Sequence, residues 1–242
     1  MKIMTRVIQL SVLLIAASSM SAAVACTTSA WNGGVTGDPA PLAENPDSAL
    51  PRVSGKCAMT LTAAGSVKDN SPAAEPQAFI RFYVLGDLGA STTIFEGFSD
   101  DSAAAGTELI TIDFDGTNFV FDAGDSASTG VAAKTGWNMI ELAWVGGSTM
   151  DYWVNIDSSE APTGQVNAKA GTLESVILGS LADPGGTLIF DDYVSHRETK
   201  IGELLAGDAN NDGGINSGDV DMVVAEFLFS TLAEGVVDCN LD

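Results

Sequence analysis

Trp137-Asn138-Met139-Ile140-Glu141-Leu142-Ala143-Trp144 and, a few residues on, Tyr152-Trp153-Val154-Asn155-Ile156-Asp157 are the stretches on which the fold turns. Both are short runs of β-branched and aromatic residues bounded by Gly, Asp and Ser, the composition of strands. Successive side chains of a strand point to opposite faces. In 150–156 this sets Met150, Tyr152, Val154 and Ile156 on a core side and leaves Asp151, Trp153 and Asn155 on the other.

The same rhythm extends outward in both directions. Strands are expected at 58–62, 78–85, 92–98, 109–114, 118–122, 138–145, 150–156, 173–178 and 187–194, with no amphipathic helix among them. Many short strands in one segment imply a mainly β chain folded as a β-sandwich. The expected organisation is a signal peptide over 1–25, an N-terminal segment over 26–57, the sandwich over 58–198 and a small module over 199–242.

Alternation also sorts faces. Ile80, Phe82 and Val84 oppose Arg81 and Tyr83; Leu188, Phe190 and Val194 oppose Asp191 and Tyr193. Asp192 falls on core parity, as a buried, hydrogen-bonded residue. Trp153, Asn155, Tyr83 and Arg81 thus share the non-core side, where a ring beside amide and charged groups suits a sugar, whose C–H face stacks while its hydroxyls hydrogen-bond. Two readings of these residues stand open: a glycan-binding platform, or rings packed under loops or under the N-terminal segment.

Residues 1–25 have the pattern of a secretory signal. Lys2 and Arg6 precede the apolar run 10–17, and Ala23-Val24-Ala25 forms the cleavage site. That run is too short to span a membrane. Export favours an oxidising compartment and a Cys26–Cys57 disulfide, closing a loop on the order of 30 residues and worth about 3–4 kcal/mol. Ala23-Val24-Ala25-Cys26 also resembles a bacterial lipobox, which implies a lipid anchor at Cys26 instead. Cys239 is left over. Ten Lys and Arg against 32 Asp and Glu give a net charge of −22. Such a surface repels nucleic acid and anionic membranes.

Near the C-terminus, Asp208, Asn210, Asp212, Asn216 and Asp219 stand at positions 1, 3, 5, 9 and 12 of an EF-hand-type loop, with Gly213 at the sharp turn and the Gly214 carbonyl at position 7. Calcium, a hard cation, takes such an oxygen set. Val220, Val223, Val224, Phe227 and Leu228 then draw one apolar helical stripe. A phosphate loop is excluded, because no Lys-Ser/Thr follows and no basic residue occurs after Lys200. A loop and helix without a preceding helix resembles a dockerin repeat. Asp238, Asn240 and Asp242 restart its spacing, as a second loop that is either a fragment or vestigial. The resemblance implies docking to a cohesin-type partner.

A second resemblance rests on Trp137–Trp144, Tyr152–Asp157, Val176-Ile177-Leu178-Gly179 and Gly186–Val194 with its Phe190-Asp191-Asp192. Together these are similar to the second half of a laminin G or concanavalin-like jelly roll. That implies relatives that bind glycans or proteins and sometimes hydrolyse polysaccharides. The hydrolases of that family use an E-x-D-x-x-E strand, which is absent here; Glu96, Asp100 and Glu141 do not fit it. His196 is the one histidine, and no G-x-S-x-G or H-E-x-x-H occurs. The expected function is that of a secreted or envelope-attached, non-enzymatic binding protein that recognises a polysaccharide or other glycan. A structural or assembly protein with the sandwich as spacer is the alternative, and a polysaccharide-degrading enzyme a third.

Overall fold

In the computed structural model the described residues are 28, 31–37, 39–43, 53, 57–88 and 90–204. They form fourteen strands in two antiparallel sheets of seven, a β-sandwich. The first sheet runs β1 (Gly34–Gly37), β4 (Gly65–Asp69), β13 (Ser175–Ser180), β6 (Thr92–Phe98), β7 (Glu108–Phe114), β8 (Asn118–Asp122) and β9 (Val131–Ala132). The second runs β12 (Gly164–Asn167), β11 (Thr149–Val154), β10 (Asn138–Val145), β5 (Gln77–Asp87), β14 (Thr187–His196), β3 (Cys57–Leu61) and β2 (Ala40–Ala43).

The core lies between the sheets and is aromatic. Phe82 on β5 stacks on Phe95 of β6 with centroids 5.6 Å apart, and Tyr152 on β11 stacks on Phe121 of β8 at 4.2 Å. These offset pairs join opposite sheets and lock their relative position. Trp144, Ile80 and Leu142 fill the space around them, fully buried. The expected runs all become strands. The alternation pattern did not show β4, β9 or β12, whose short sequences (Gly-Ser-Val-Lys-Asp, Val-Ala and Gly-Gln-Val-Asn) lack an apolar series. β1 and β2 show that residues before 57 pair with both sheets, and Trp31 is buried against Tyr193.

Two local breaks correct the expected faces. The pairing of β14 with β5 shifts between Asp191 and Val194, a β-bulge in which Asp192 has φ +49°. A bulge adds one residue and exchanges the faces of the residues beyond it. Tyr193 therefore enters the core at 3% exposure, and Val194 turns outward beside Arg81. At the end of β11 the chain leaves the sheet at Asn155, φ +59°, so Ile156 is 37% exposed and is not a core residue. The calcium loop at Asp208–Asp219, the partial loop at Asp238–Asp242, the signal segment and Cys26 lie outside the described residues. Of Cys57 the backbone at the start of β3 is described. No described helix is long and apolar enough to cross a membrane.

Candidate functional site

The outer face of the second sheet is where alternation places Trp153, Tyr83 and Arg81, and the register sets them side by side. Trp153 pairs with Glu141, Glu141 with Arg81, and Tyr83 with Asp191. None of them faces solvent. Trp153, Arg81 and Glu141 are completely buried and Tyr83 nearly so, because residues 199–204 fold back across the sheet.

This strap is held through its main chain. Glu141 accepts the amides of Ile201 (2.8 Å) and Gly202 (2.9 Å), Asp157 that of Glu203 (2.7 Å), and the Tyr83 hydroxyl that of Leu204 (3.0 Å). Arg81 donates to the Gly202 carbonyl at 2.7 Å and forms an ion pair with Asp192. Lys200 stands 4.3 Å from the centroid of the Trp153 ring and donates to the Ser158 carbonyl. Sheet amides are engaged sideways with their neighbours, so a segment lying on top must find side-chain partners. Burial pushes the Tyr83 hydroxyl up to about 12, keeping it neutral. The amide of Glu203, ahead of Ser159, holds the Asp157 carboxyl below its ordinary range.

Of the two readings left open, the glycan platform at Trp153, Tyr83 and Arg81 is corrected: parity put them outside the sandwich, and they pack under a covering segment, which is 199–204 and not the N-terminal one. The ring of Trp153 is further fixed by its Nε1, which donates to the Glu160 carbonyl at 3.1 Å. Asn155 is engaged elsewhere, accepting the Met139 amide and donating to Asn138. Asp192 is buried and hydrogen-bonded as expected, but to Arg81 of the outer face, where the bulge carries it, and not on the core side that its parity indicated.

The outer face of the first sheet differs. A row of paired positions crosses five strands: Lys68, Ile177, Glu96, Thr111 and Asp122, all half-exposed. Beside it, Thr93 donates to Asp113 at 2.6 Å. A shallow groove of about 220 Å³, lined by Glu108, Leu109, Ile110, Thr111, Asp122 and Lys169, adjoins the row. Glu96 sits on the central strand. Burial first, then the charges of Glu108 and Asp113, push its carboxyl up to about 7. Near neutral pH it both donates and accepts, while its own amide and that of Gly106 keep Glu108 ionised. Thr111, Lys169, Glu108 and Asp122 bring a hydroxyl, an ammonium and two carboxylates to the groove, and Glu96 pairs with Thr111 in the adjoining row, so donors and acceptors share this part of the face. In the sequence Glu96 stands out only as an acid outside the hydrolase pattern, and Thr111, Asp122 and Lys169 do not stand out at all. The alternation of Thr111 and Asp113, and of Asn118, Val120 and Asp122, was visible, but the strand order that assembles them was not.

No family model matches the chain, and no curated protein matches it. Solved structures similar to it include the cellulose induced protein Cip1, with a TM-score of 0.49 and 16% identity over 63% of this chain and 84% of that one. The binding domain of botulinum neurotoxin DC, solved in complex with SialylT, is similar at a TM-score of 0.47 and 14% identity over 83% of this chain. The chain spans 46% of that structure's length. With scores below 0.5, neither likeness bears on what the face of either sheet binds.

Proposed function

We propose that the protein is a secreted, non-enzymatic module that recognises a polysaccharide or other glycan on the outer face of the first sheet. The observation that supports it is the half-exposed row Glu96, Thr111 and Asp122 beside a groove that also presents Lys169. Residues 208–219 add a calcium-binding, dockerin-like module. Asp208, Asn210, Asp212, Gly214, Asn216 and Asp219 supply the oxygen donors that this ion prefers. Calcium there neutralises carboxylates that otherwise repel, folding the loop and presenting the apolar stripe to a cohesin-type partner.

The test is a glycan-array screen of residues 26–242 with calcium and again with EDTA, followed by titration of any hit with Thr111→Ala and Asp122→Asn. Binding that persists in EDTA and falls at least tenfold in both variants supports recognition on the first sheet. Binding unchanged by either variant overturns that placement. Hydrolysis of a bound polysaccharide that Glu96→Gln abolishes would replace the binding reading by the enzymatic one. The assembly reading is favoured by one feature, the strap, which pins the chain leaving the sandwich up to Leu204. A silent array together with capture of a cohesin domain only in calcium would decide for it.

A further inference from the structure

The amides of Ile201, Gly202, Glu203 and Leu204 follow one another in the chain, and every one is accepted by a side chain of the sandwich. The Gly202 carbonyl is met by Arg81. A segment that merely shields an apolar face is held by its side chains. This one is held by its main chain, and of its side chains only that of Ile201 is buried while Lys200 and Glu203 are exposed. Reading of consecutive backbone groups is how protein surfaces bind extended peptides with tolerance for most side chains.

Two positions of the strap do carry sequence information. Gly202 has φ +84°, a region that favours glycine, and a Cβ there would come within 3.3 Å of the Asp157 carboxylate. Lys200 places its ammonium over the Trp153 ring and on the Ser158 carbonyl, a contact that an aromatic face and an oxygen acceptor offer to a cation. The receptor is equally specific in make-up. Arg81, Tyr83 and Trp153 are residue types that recognition surfaces favour, and Glu141 supplies the acceptor for two of the amides.

We infer that the outer face of the second sheet is a peptide-reading site. Its resident occupant is the chain's own segment 199–204, acting as a releasable latch. Its partner class is an extended segment with lysine and, two residues later, glycine. While the latch is closed, a competing peptide binds with an apparent affinity reduced by the fraction of open molecules.

The experiment uses the full chain carrying Gly202→Val, which disfavours the closed latch and leaves every residue of the receptor unsubstituted. The probe is a labelled synthetic peptide with the sequence of residues 198–205, titrated by fluorescence anisotropy. The variant should bind it roughly tenfold or more tightly than the unaltered chain. The same peptide with valine in place of glycine should not bind. A variant that keeps the circular dichroism of the sandwich and exchanges the amides of residues 201–204 faster than the unaltered chain, yet binds the peptide no better, overturns the proposal. Hydrogen exchange of the unaltered protein is the independent arm and applies even if the variant does not fold. The amides of residues 201–204 should exchange together and faster than those of β5 and β10; exchange only with global unfolding also overturns it.

Discussion

The two outer faces of the sandwich carry the same kinds of residue and reach opposite states. On the second sheet, Arg81 and Glu141 are completely buried beneath a strap that supplies their partners. On the first, Glu96, Thr111, Asp113 and Asp122 stand half-exposed beside a groove. Strand alternation assigns a side chain to the inside or outside of a sheet, but a later segment decides whether the outside is wet. The difference is energetic as well. A buried charge must be paired or hydrogen-bonded, so the covered face contributes to stability through every partner it holds. The open face leaves its groups available to a ligand.

Variants at the covered face should therefore show the largest effects. Arg81→Met removes the cation paired with the buried Asp192 carboxylate, one of that residue's partners, and the donor to Gly202, and should cost about 3–5 kcal/mol in urea denaturation. A loss comparable to that of a surface variant would erase the contrast between the faces. Glu141→Leu leaves the Ile201 and Gly202 amides without their acceptor and should cost about 2 kcal/mol. It should also speed hydrogen exchange at residues 201–204 while leaving β6 and β7 unchanged.

Acid should act on the two faces with opposite sign. Glu96 in the folded protein titrates near 7, above its ordinary 4.5, so the folded state binds its proton more readily than the unfolded chain. Its contribution to stability falls as pH rises from about 4.5 to about 7, and Glu96→Gln should remove that slope. Asp157 is held below its ordinary range, so its contribution is present above that range and is lost as pH falls through the lowered value. Urea midpoints followed from pH about 7 down to below 3.8 separate the two, with Asp157→Asn abolishing the acid-side loss. The smallest stability effects belong to Thr111→Ala and Asp122→Asn, within about 0.5 kcal/mol of the unaltered chain. A larger loss would mean that the row is structural and not held in reserve for a ligand.

Much of the architecture was legible. Ile80, Phe82 and Val84 alternate without interruption, and β5 buries all three. The candidate site was legible only to the level of a face. Trp153 and Tyr83 were correctly placed outside the sheet, but nothing local in Lys200-Ile201-Gly202-Glu203-Leu204 announces a strap, since its sequence makes no periodic pattern and its bonds reach residues more than forty positions away. Tyr193 was misplaced because a bulge at Asp191–Val194 is an event of pairing and leaves no mark in alternation.

The amino-acid sequence by itself determined the all-β class, the strands with an apolar series and the inward set of most of them, because the two-residue repeat of a strand is local chemistry. It also determined the spacing of the oxygen-bearing residues over 208–219 and the net charge of −22, which are properties of residue type and order. Only the tertiary structure decided which outer face is covered, which carboxylate is pushed toward neutrality and which side chains from β6, β7 and β8 form one row. Those outcomes depend on sheet order, on one bulge and on where a returning segment lies, and each is settled by contacts between residues distant in the chain.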